Sequence, residues 1–426
     1  MKHKVYEGKK VGIWGLGKTG QSVLAFVGPY AEKVTVFESA ELSEEQKALL
    51  HKYNAVAVPS DCLQQFLELN DIIIPSPGVD LRPHAEWAEK WVGELDIFSD
   101  HVAVKTIAIT GSAGKTSTVT LLTELLNRCG HRAIAAGNIG TPLLDVIKEQ
   151  HAYDIIVLEL SSFQLELSHR FAPSIAAVTN LFPNHLDRHG DVVSYAQAKG
   201  QLFMHQNEND WAIIPFEFLE NFIPYTAHQK VLWLASDAYQ EYLSPALTEI
   251  TFADNWRLIF AILERLAIEA ETAVKQCLDL HIPAHRFEKI TTFQGVTYYN
   301  DSKATIAESL LQSANQLKHQ PVILFLGGLS KGVDRTPAIQ QLPKNITHIL
   351  CFGKEAKAIS ASCAQAGFKS SDFPTLQEAW QACTQLVNPG DAVLFSPAGA
   401  SYDLFKNYEE RGDVFKKLVR SFSTAA

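Results

Sequence analysis

The 426-residue sequence predicts an α/β protein built from three successive units. Short apolar runs alternate with segments of helical period along most of the chain, the pattern of parallel strands covered by helices. Two of those runs end in glycine-rich turns that open directly into a helix, which is the wiring of a phosphate-binding loop. The composition, 46% hydrophobic and 20% charged, supplies apolar side chains for several packed cores.

The first unit is expected over residues 1–98. A strand beginning at Lys10 leads into Gly15-Leu16-Gly17-Lys18-Thr19-Gly20, followed by a helix through Val23, Leu24 and Phe26. A second strand from Val34 ends in Glu38, 18 positions after Gly20. This is a Rossmann-like fingerprint, with an acid placed for a ribose hydroxyl and a helix N-terminus for a pyrophosphate. On these residues alone an NAD(P) site and a site for another nucleotide both stand. A third strand, Asp71 to Ile74, runs into Pro75-Ser76-Pro77-Gly78-Val79, a rigid loop at the sheet's carboxyl edge. The segment from His84 to Val104 reads as a helix and then a connection.

The second unit, expected over 99–282, opens with the other glycine loop. Thr106 to Ile109 is an apolar strand. Gly111-Ser112-Ala113-Gly114 makes a tight turn, and from Lys115-Thr116-Ser117 a helix follows through Val119, Leu121, Leu122, Leu125 and Leu126. Loop amides, the Lys115 ammonium and the Thr116 hydroxyl are the parts of a P-loop ATPase-like cradle for phosphate and Mg²⁺, although Ile109 stands where its strict form has a glycine. A strand near Arg132 to Ala136 ends in Gly137-Asn138-Ile139-Gly140. Asp154 to Leu160 is a buried strand closing on Glu159, an acid placed to complete a nucleotide site through Mg²⁺. Ser174 to Thr179 leads into a loop carrying His185, Asp187 and His189, which suit either metal or phosphate ligands or a polar surface loop. Lys199 shares a helical face with Tyr195 and by pattern alone is a surface lysine. Strands are expected near Trp211 to Ile214 and Val231 to Leu234, and two helices from Asn255 to Leu280.

The third unit, 283–426, begins at a composition break around His281. Strands near Val296 to Tyr299, Val322 to Leu326, Ile349 to Phe352 and Ala392 to Phe395 alternate with helices, a second Rossmann-like α/β arrangement. Three of them end in polar or glycine-rich loops at 300–305, 327–332 and 396–401.

The net charge of −10 argues against a sequence-independent grip on nucleic acid. The six cysteines are scattered with no Cys-x-x-Cys pair, so neither a zinc site nor a disulfide framework is indicated. No signal region or membrane-length apolar run is present, so a soluble, cytoplasmic protein with no membrane insertion is expected.

Seven strings in order carry a resemblance to one family: T-G-x-x-G-K-T-S at 110–117, G-N-I-G at 137–140, E-L-S-S-F-Q-L at 159–165, H-L-D-R-H-G at 185–190, A-H-R-F-E at 284–288, N-D-S-K-A-T at 300–305 and S-P-A-x-A-S-x-D-x-F-K-N at 396–407. The chain resembles the Mur ligases, ATP-dependent amide-forming enzymes of peptidoglycan precursor synthesis, and within them the D-glutamate-adding branch. The resemblance implies three substrates, UDP-N-acetylmuramoyl-L-alanine, D-glutamate and ATP, and two Mg²⁺ ions for which Mn²⁺ can substitute. A monomer is expected.

The resemblance also implies roles. Gly15, Leu16, Gly17, Lys18 and Thr19 would face the uridine diphosphate, with Glu38, Ser39, Pro77 and Gly78 near its nucleoside. Asn138, Ser161 and Gln164 would hold the muramoyl-alanine end. Gly111, Ser112, Ala113, Gly114, Lys115, Thr116 and Ser117 would hold the ATP phosphates, with His285, Arg286 and Asp301 also contacting ATP and Lys303 near its phosphates. Thr116 and Glu159 would serve one Mg²⁺, and His185 with Lys199, carried as its CO₂-derived carbamate, the other. Lys115, Glu159, His185, Lys199 and Lys303 form the implied catalytic set. Thr305, Lys331, Ser401, Tyr402 and Tyr408 would surround D-glutamate, and the third domain would close over the second. The chain departs from the family pattern at Ser112-Ala113, Asn184, Leu258 and Ile306, which bears on how ATP is held. Three other readings remain: a sister ligase for another amino acid or for folate-linked glutamate, an NAD(P) oxidoreductase built on residues 11–38, and a nucleotide-binding module without catalysis.

Overall fold

The alternating apolar runs become three sheets. The computed structural model describes residues 5–277, 279–330 and 332–424. The strands β1 (Lys10–Trp14), β2 (Lys33–Phe37), β3 (Val56–Val58) and β4 (Ile72–Pro75) form a parallel sheet in the order β3-β2-β1-β4. β5 (Lys105–Thr110), β6 (Ala133–Gly137), β7 (Ile155–Glu159), β8 (Ile175–Val178), β9 (Trp211–Pro215) and β10 (Lys230–Leu234) form a second, all-parallel sheet in the order β10-β9-β8-β5-β7-β6. β11 (Glu288–Phe293), β12 (Val296–Asn300), β13 (Val322–Gly327), β14 (Ile346–Phe352), β15 (Ser370–Phe373) and β16 (Ala392–Phe395) form the third, in the order β11-β12-β16-β13-β14-β15. There only the β11–β12 pair is antiparallel.

By mutual contact the chain sorts into two compact units. The first comprises Met1–Leu181, Val193–Ser244 and Ala253–Leu280 and holds the first two sheets. The second comprises Phe182–Val192, Pro245–Phe252 and His281–Ala426 and holds the third.

Strand composition explains the topology. Ile107, Ala108 and Ile109 of β5 and Ile156, Val157 and Leu158 of β7 are fully buried, as expected of parallel strands covered on both faces. In β13 the alternation of the backbone separates two cores: Val322, Leu324 and Leu326 enter one cluster, Ile323 and Phe325 the other. The second of these is closed by the helix Tyr408–Thr424, whose Phe415 ring stacks on Phe395 at 4.3 Å.

The order β3-β2-β1-β4 places β1 and β4 side by side while their connections leave in opposite directions, which opens a crevice at their carboxyl ends. In the second sheet β5 lies between β7 and β8, so the loops following all three meet at one edge. The third sheet likewise groups the loops after β12, β16 and β13.

Three strands depart from the expectation: β11 and β15 carry mixed polar residues without an apolar run, and β3 is a three-residue apolar run left mostly exposed. The segment from His84 to Val104 is two helical pieces, Arg82–Lys90 and Glu94–His101, and not one helix and a connection. Trp91 and Val92 between them attach to β4, where the Val92 N–H donates to the Ile73 carbonyl at 2.9 Å. Residue 98 lies inside the second piece. Among the described residues no helix is long and apolar enough to cross a membrane.

Leu324 sits wholly buried in the middle of the third sheet. Leu324→Ala is expected to lower the stability of that unit by about 2–5 kcal/mol, the usual cost of a large-to-small core substitution. Urea unfolding of the variant beside the parent protein checks this.

Candidate active site

The turn after β5 is held in shape by its own sheet. Gly111 has φ of 139°, and a Cβ there would overlap the Thr179 hydroxyl. Only glycine tolerates both the backbone and the contact. The Thr179 hydroxyl donates to the Ala113 carbonyl at 2.6 Å, and the Ala113 N–H donates to the Asn180 side-chain oxygen at 2.8 Å. Ser112, Ala113 and Gly114 follow, and the helix Lys115–Arg128 starts immediately after them. The Lys115 ammonium is turned onto the loop's own carbonyls, 2.7 Å from Gly111 O and 3.2 Å from Ser112 O.

Around this loop the predicted groups converge. The Thr116 hydroxyl donates to Glu159 Oε2 at 2.7 Å, and the Asn138 amide donates to Glu159 Oε1 at 2.8 Å. Ser161 caps the short helix Ser162–Leu165 and is bonded reciprocally to Gln164, so both face the same edge. Ser117 is buried in the first turn of the long helix.

Lys199 corrects its pattern-based reading as a surface lysine. On the helix Val192–Gly200 its side chain is completely buried, with Nζ 2.9 Å from Gly111 O and 4.4 Å from the Tyr195 ring centre. Burial pushes the amine's pKa well below that of an ordinary lysine. The Lys115 charge pushes it further and Glu159 opposes. The signal that periodicity could have supplied is the burial of both Tyr195 and Lys199, one turn apart, on the same face.

Whether Mg²⁺ fits can be judged from the donors. Thr116 and Glu159 offer a hydroxyl and a carboxylate, hard oxygen ligands already within 2.7 Å of each other. Among the described residues no group of three or more His, Cys, Asp or Glu is gathered as for a metal ion. These protein groups therefore suit an ion that takes most of its ligands from phosphate and water.

In the first sheet, Gly15 and Gly20 pack so closely that a Cβ on Gly20 would overlap the Gly15 carbonyl. Gly17, Lys18 and Thr19 open the helix Lys18–Val27 beside the Ser76-Pro77-Gly78 turn, and the Ser76 hydroxyl bonds to Gly15 O at 3.1 Å. Glu38 accepts from the Leu16 N–H at 2.7 Å and the Ala40 N–H at 3.1 Å. Burial raises its pKa, but these backbone bonds outweigh that and hold it below the ordinary carboxylate value. The carboxylate thus ties the glycine loop to β2. Ser39 lies exposed beside it.

The second unit gathers the remaining groups. Asp301, at the end of β12, accepts from Ser313 at 2.6 Å, Ser396 at 2.9 Å and the Phe287 N–H at 3.1 Å. Burial pushes its pKa up to about 6 against those bonds and the nearby Arg286. The His285 ring accepts from Asn300 at 2.9 Å, and burial, aided by Lys416, lowers its pKa. Lys303 Nζ lies 3.9 Å from the centre of the Tyr408 ring. His285, Phe287 and Ala398 all have positive φ, a concentration of strained backbone typical of binding sites. Ser401 is buried, Thr305 half-buried and Tyr402 exposed. His185, also at positive φ, begins the short helix Leu186–His189 and belongs by contact to this unit. Lys331 lies outside the described residues.

One organising residue escaped the sequence reading. Arg411 is completely buried and donates to Ser302 Oγ at 3.1 Å, Ser302 O at 2.6 Å and Gly399 O at 2.9 Å. Burial pushes its pKa down to about 10. It pins the loop carrying Asp301 and Lys303 to the one carrying Ser401. The spacing of Arg411, Phe415 and Val419 on one helix face held the clue.

Comparison with known proteins agrees with this geometry. The Mur ligase middle domain matches residues 109–243, and the Mur ligase glutamate ligase domain matches 285–399. A protein of Koribacter versatilis named UDP-N-acetylmuramoylalanine--D-glutamate ligase is 33% identical over 98% of each chain. One of the same name from Haemophilus ducreyi is 32% identical over 99% of each. The structure of a MurF ligase from Thermotoga maritima in complex with ADP, 16% identical, superposes with a TM-score of 0.59 over 98% of this chain and 96% of its own.

Asp301 gives the site a titration signature. Its folded pKa, about 6, exceeds the ordinary 3.8, so folding favours the protonated form. That stabilisation is complete below about pH 4 and is lost as pH rises through about 6. The shift corresponds to on the order of 3 kcal/mol. Asp301→Asn should lack this dependence, and unfolding of both proteins from pH 4 to 7 measures the difference.

Proposed function

The chain belongs to the Mur ligase family, and from that premise we propose that it joins D-glutamate to UDP-N-acetylmuramoyl-L-alanine with consumption of ATP, in cytoplasmic peptidoglycan precursor synthesis. The observation that carries the proposal is the convergence at one sheet edge of a glycine loop, the Thr116–Glu159 pair and a wholly buried lysine whose pKa burial lowers.

The chemistry explains why those groups are needed. A carboxylate is a poor electrophile, since direct attack by an amine would have to expel an oxide-like group. Transfer of the terminal phosphoryl group of ATP to the alanyl carboxylate gives an acyl phosphate and ADP. The glutamate amine then adds to the acyl carbon, and the tetrahedral intermediate collapses with loss of phosphate. Both steps build negative charge on oxygen. The helix N-terminus at Lys115 and the Lys115 ammonium would meet it, once a phosphate draws Lys115 from the loop carbonyls. One such donor is worth about 3–4 kcal/mol.

Thr116 and Glu159 would hold one Mg²⁺, which supplies neutralising charge to the phosphates. His185 and Lys199 would serve a second. A neutral amine adds to CO₂ with loss of a proton, and the resulting carbamate on Lys199 is a hard oxygen donor where an ammonium would repel the ion. The loop from Gly15 to Thr19, with Glu38, Ser39, Pro77 and Gly78, would receive the uridine diphosphate. Asn138, Ser161 and Gln164 would take the muramoyl-alanine arm. In the second unit His285, Arg286, Asp301 and Lys303 would contact ATP, and Thr305, Lys331, Ser401, Tyr402 and Tyr408 would receive D-glutamate.

Phosphate release is expected only with UDP-N-acetylmuramoyl-L-alanine, D-glutamate, ATP and Mg²⁺ together. Release with L-lysine or meso-diaminopimelate and none with D-glutamate would overturn the assignment of the amino acid.

A further inference from the structure

The second unit contains a cleft whose walls include Thr305, Ile306, Ser330, Val333, Arg335 and Ala398. Thr305 and Ser330 bring hydroxyl groups, while Ile306 and Val333 bring aliphatic surface. Arg335 brings a guanidinium that is only 7% exposed.

That guanidinium is incompletely used. Its Nη2 donates to Gly328 O at 2.7 Å and lies 3.3 Å from Glu355 Oε2. Its Nε and Nη1 are buried and have no hydrogen-bond partner. A guanidinium carries five N–H donors and no acceptor, and leaving buried donors unmade is costly, so the arrangement calls for an acceptor.

Local charge points to an anionic one. The only ion pair of Arg335 among the described residues is with Glu355, whose other oxygen accepts from the Ser330 N–H at 3.2 Å. The fully buried Arg411 donates to the carbonyl of Gly399, which neighbours the cleft residue Ala398. Two buried cations stand in this region, with Asp403 as well as Glu355 acting on Arg335. A carboxylate is the anionic acceptor whose geometry matches a guanidinium, and Thr305 and Ser330 line the same cleft with hydroxyl groups.

We propose that Arg335 is a specificity-determining residue that holds one carboxylate of the incoming dicarboxylic amino acid. The assignment rests on the ligase function above, and it adds a contact that no motif in the sequence marked.

The test uses the full-length enzyme with Arg335→Gln and Arg335→Lys. Steady-state KM values are measured for D-glutamate, ATP and UDP-N-acetylmuramoyl-L-alanine, with inhibition by glutarate, which has two carboxylates and no amine. In Arg335→Gln the KM for D-glutamate and the inhibition constant of glutarate should both rise by about 10- to 100-fold, the range for a lost charge-assisted hydrogen bond. The KM values for the other two substrates should not move, and Arg335→Lys should recover part of the loss. A residue that merely supports the fold would weaken all three substrates together, and that result overturns the proposal. An unchanged KM for D-glutamate in a folded Arg335→Gln protein also overturns it, as does loss of inhibition by inorganic phosphate in place of glutarate. If Arg335→Gln does not fold, Arg335→Lys decides between the same outcomes. Calorimetric titration of glutarate into the wild-type protein and the variants reads Arg335 without turnover. Absence of turnover with D-glutamate in the wild type would defeat the ligase assignment, whereas glutarate binding that ignores Arg335 would defeat this one.

Discussion

A charged amine cannot be kept in a dry pocket beside a second amine without a strong compensating anion, and this constraint governs the centre of the molecule. Lys199 is wholly buried against the phosphate loop, with Lys115 raising the cost of its charge and Glu159 alone opposing. The amine is therefore biased toward its neutral, nucleophilic form. The loop around it is equally constrained, because Gly111 fits only as glycine and Lys115 rests on the loop's own carbonyls. An arriving phosphate would replace those carbonyls as the partner of Lys115, and the sheet behind need not move.

The same physics recurs in the second unit with guanidinium groups. Arg411 is buried among backbone carbonyls and one hydroxyl, and it fixes the loop carrying Asp301 and Lys303 to the loop carrying Ser401. Asp301 is buried too, and its partners are serine hydroxyls and an amide. Positive φ at His285, Phe287 and Ala398 is strain that these contacts hold in place. Both units thus concentrate costly burial at the carboxyl edges of their sheets, where ligands of open α/β folds bind.

What the sequence made legible follows from which features carry a local code. Apolar runs mark central strands, so β1, β5, β7, β13 and β16 were readable, and glycine-rich turns opening into helices marked the two candidate phosphate loops. Edge strands β3, β11 and β15 were missed: β11 and β15 carry mixed polar residues, and β3 is an apolar run of only three residues. Periodicity separates apolar from polar faces but does not say that a polar residue lies on the apolar one. Lys199 therefore read as a surface lysine and Arg411 was not singled out, although both lie a helical turn from buried aromatic side chains, Tyr195 and Phe415. The family resemblance named Lys199 but not Arg411 or Arg335, whose importance comes from loops that only the fold brings together.

The chemistry proposed for the centre depends on the state of the Lys199 amine. Equilibrating the enzyme with ¹³C-bicarbonate and recording its ¹³C spectrum reads that state directly. A carbamate resonance in the active enzyme that vanishes in Lys199→Met is the predicted result. Active enzyme without such a resonance, or a resonance that persists in the variant, would contradict it.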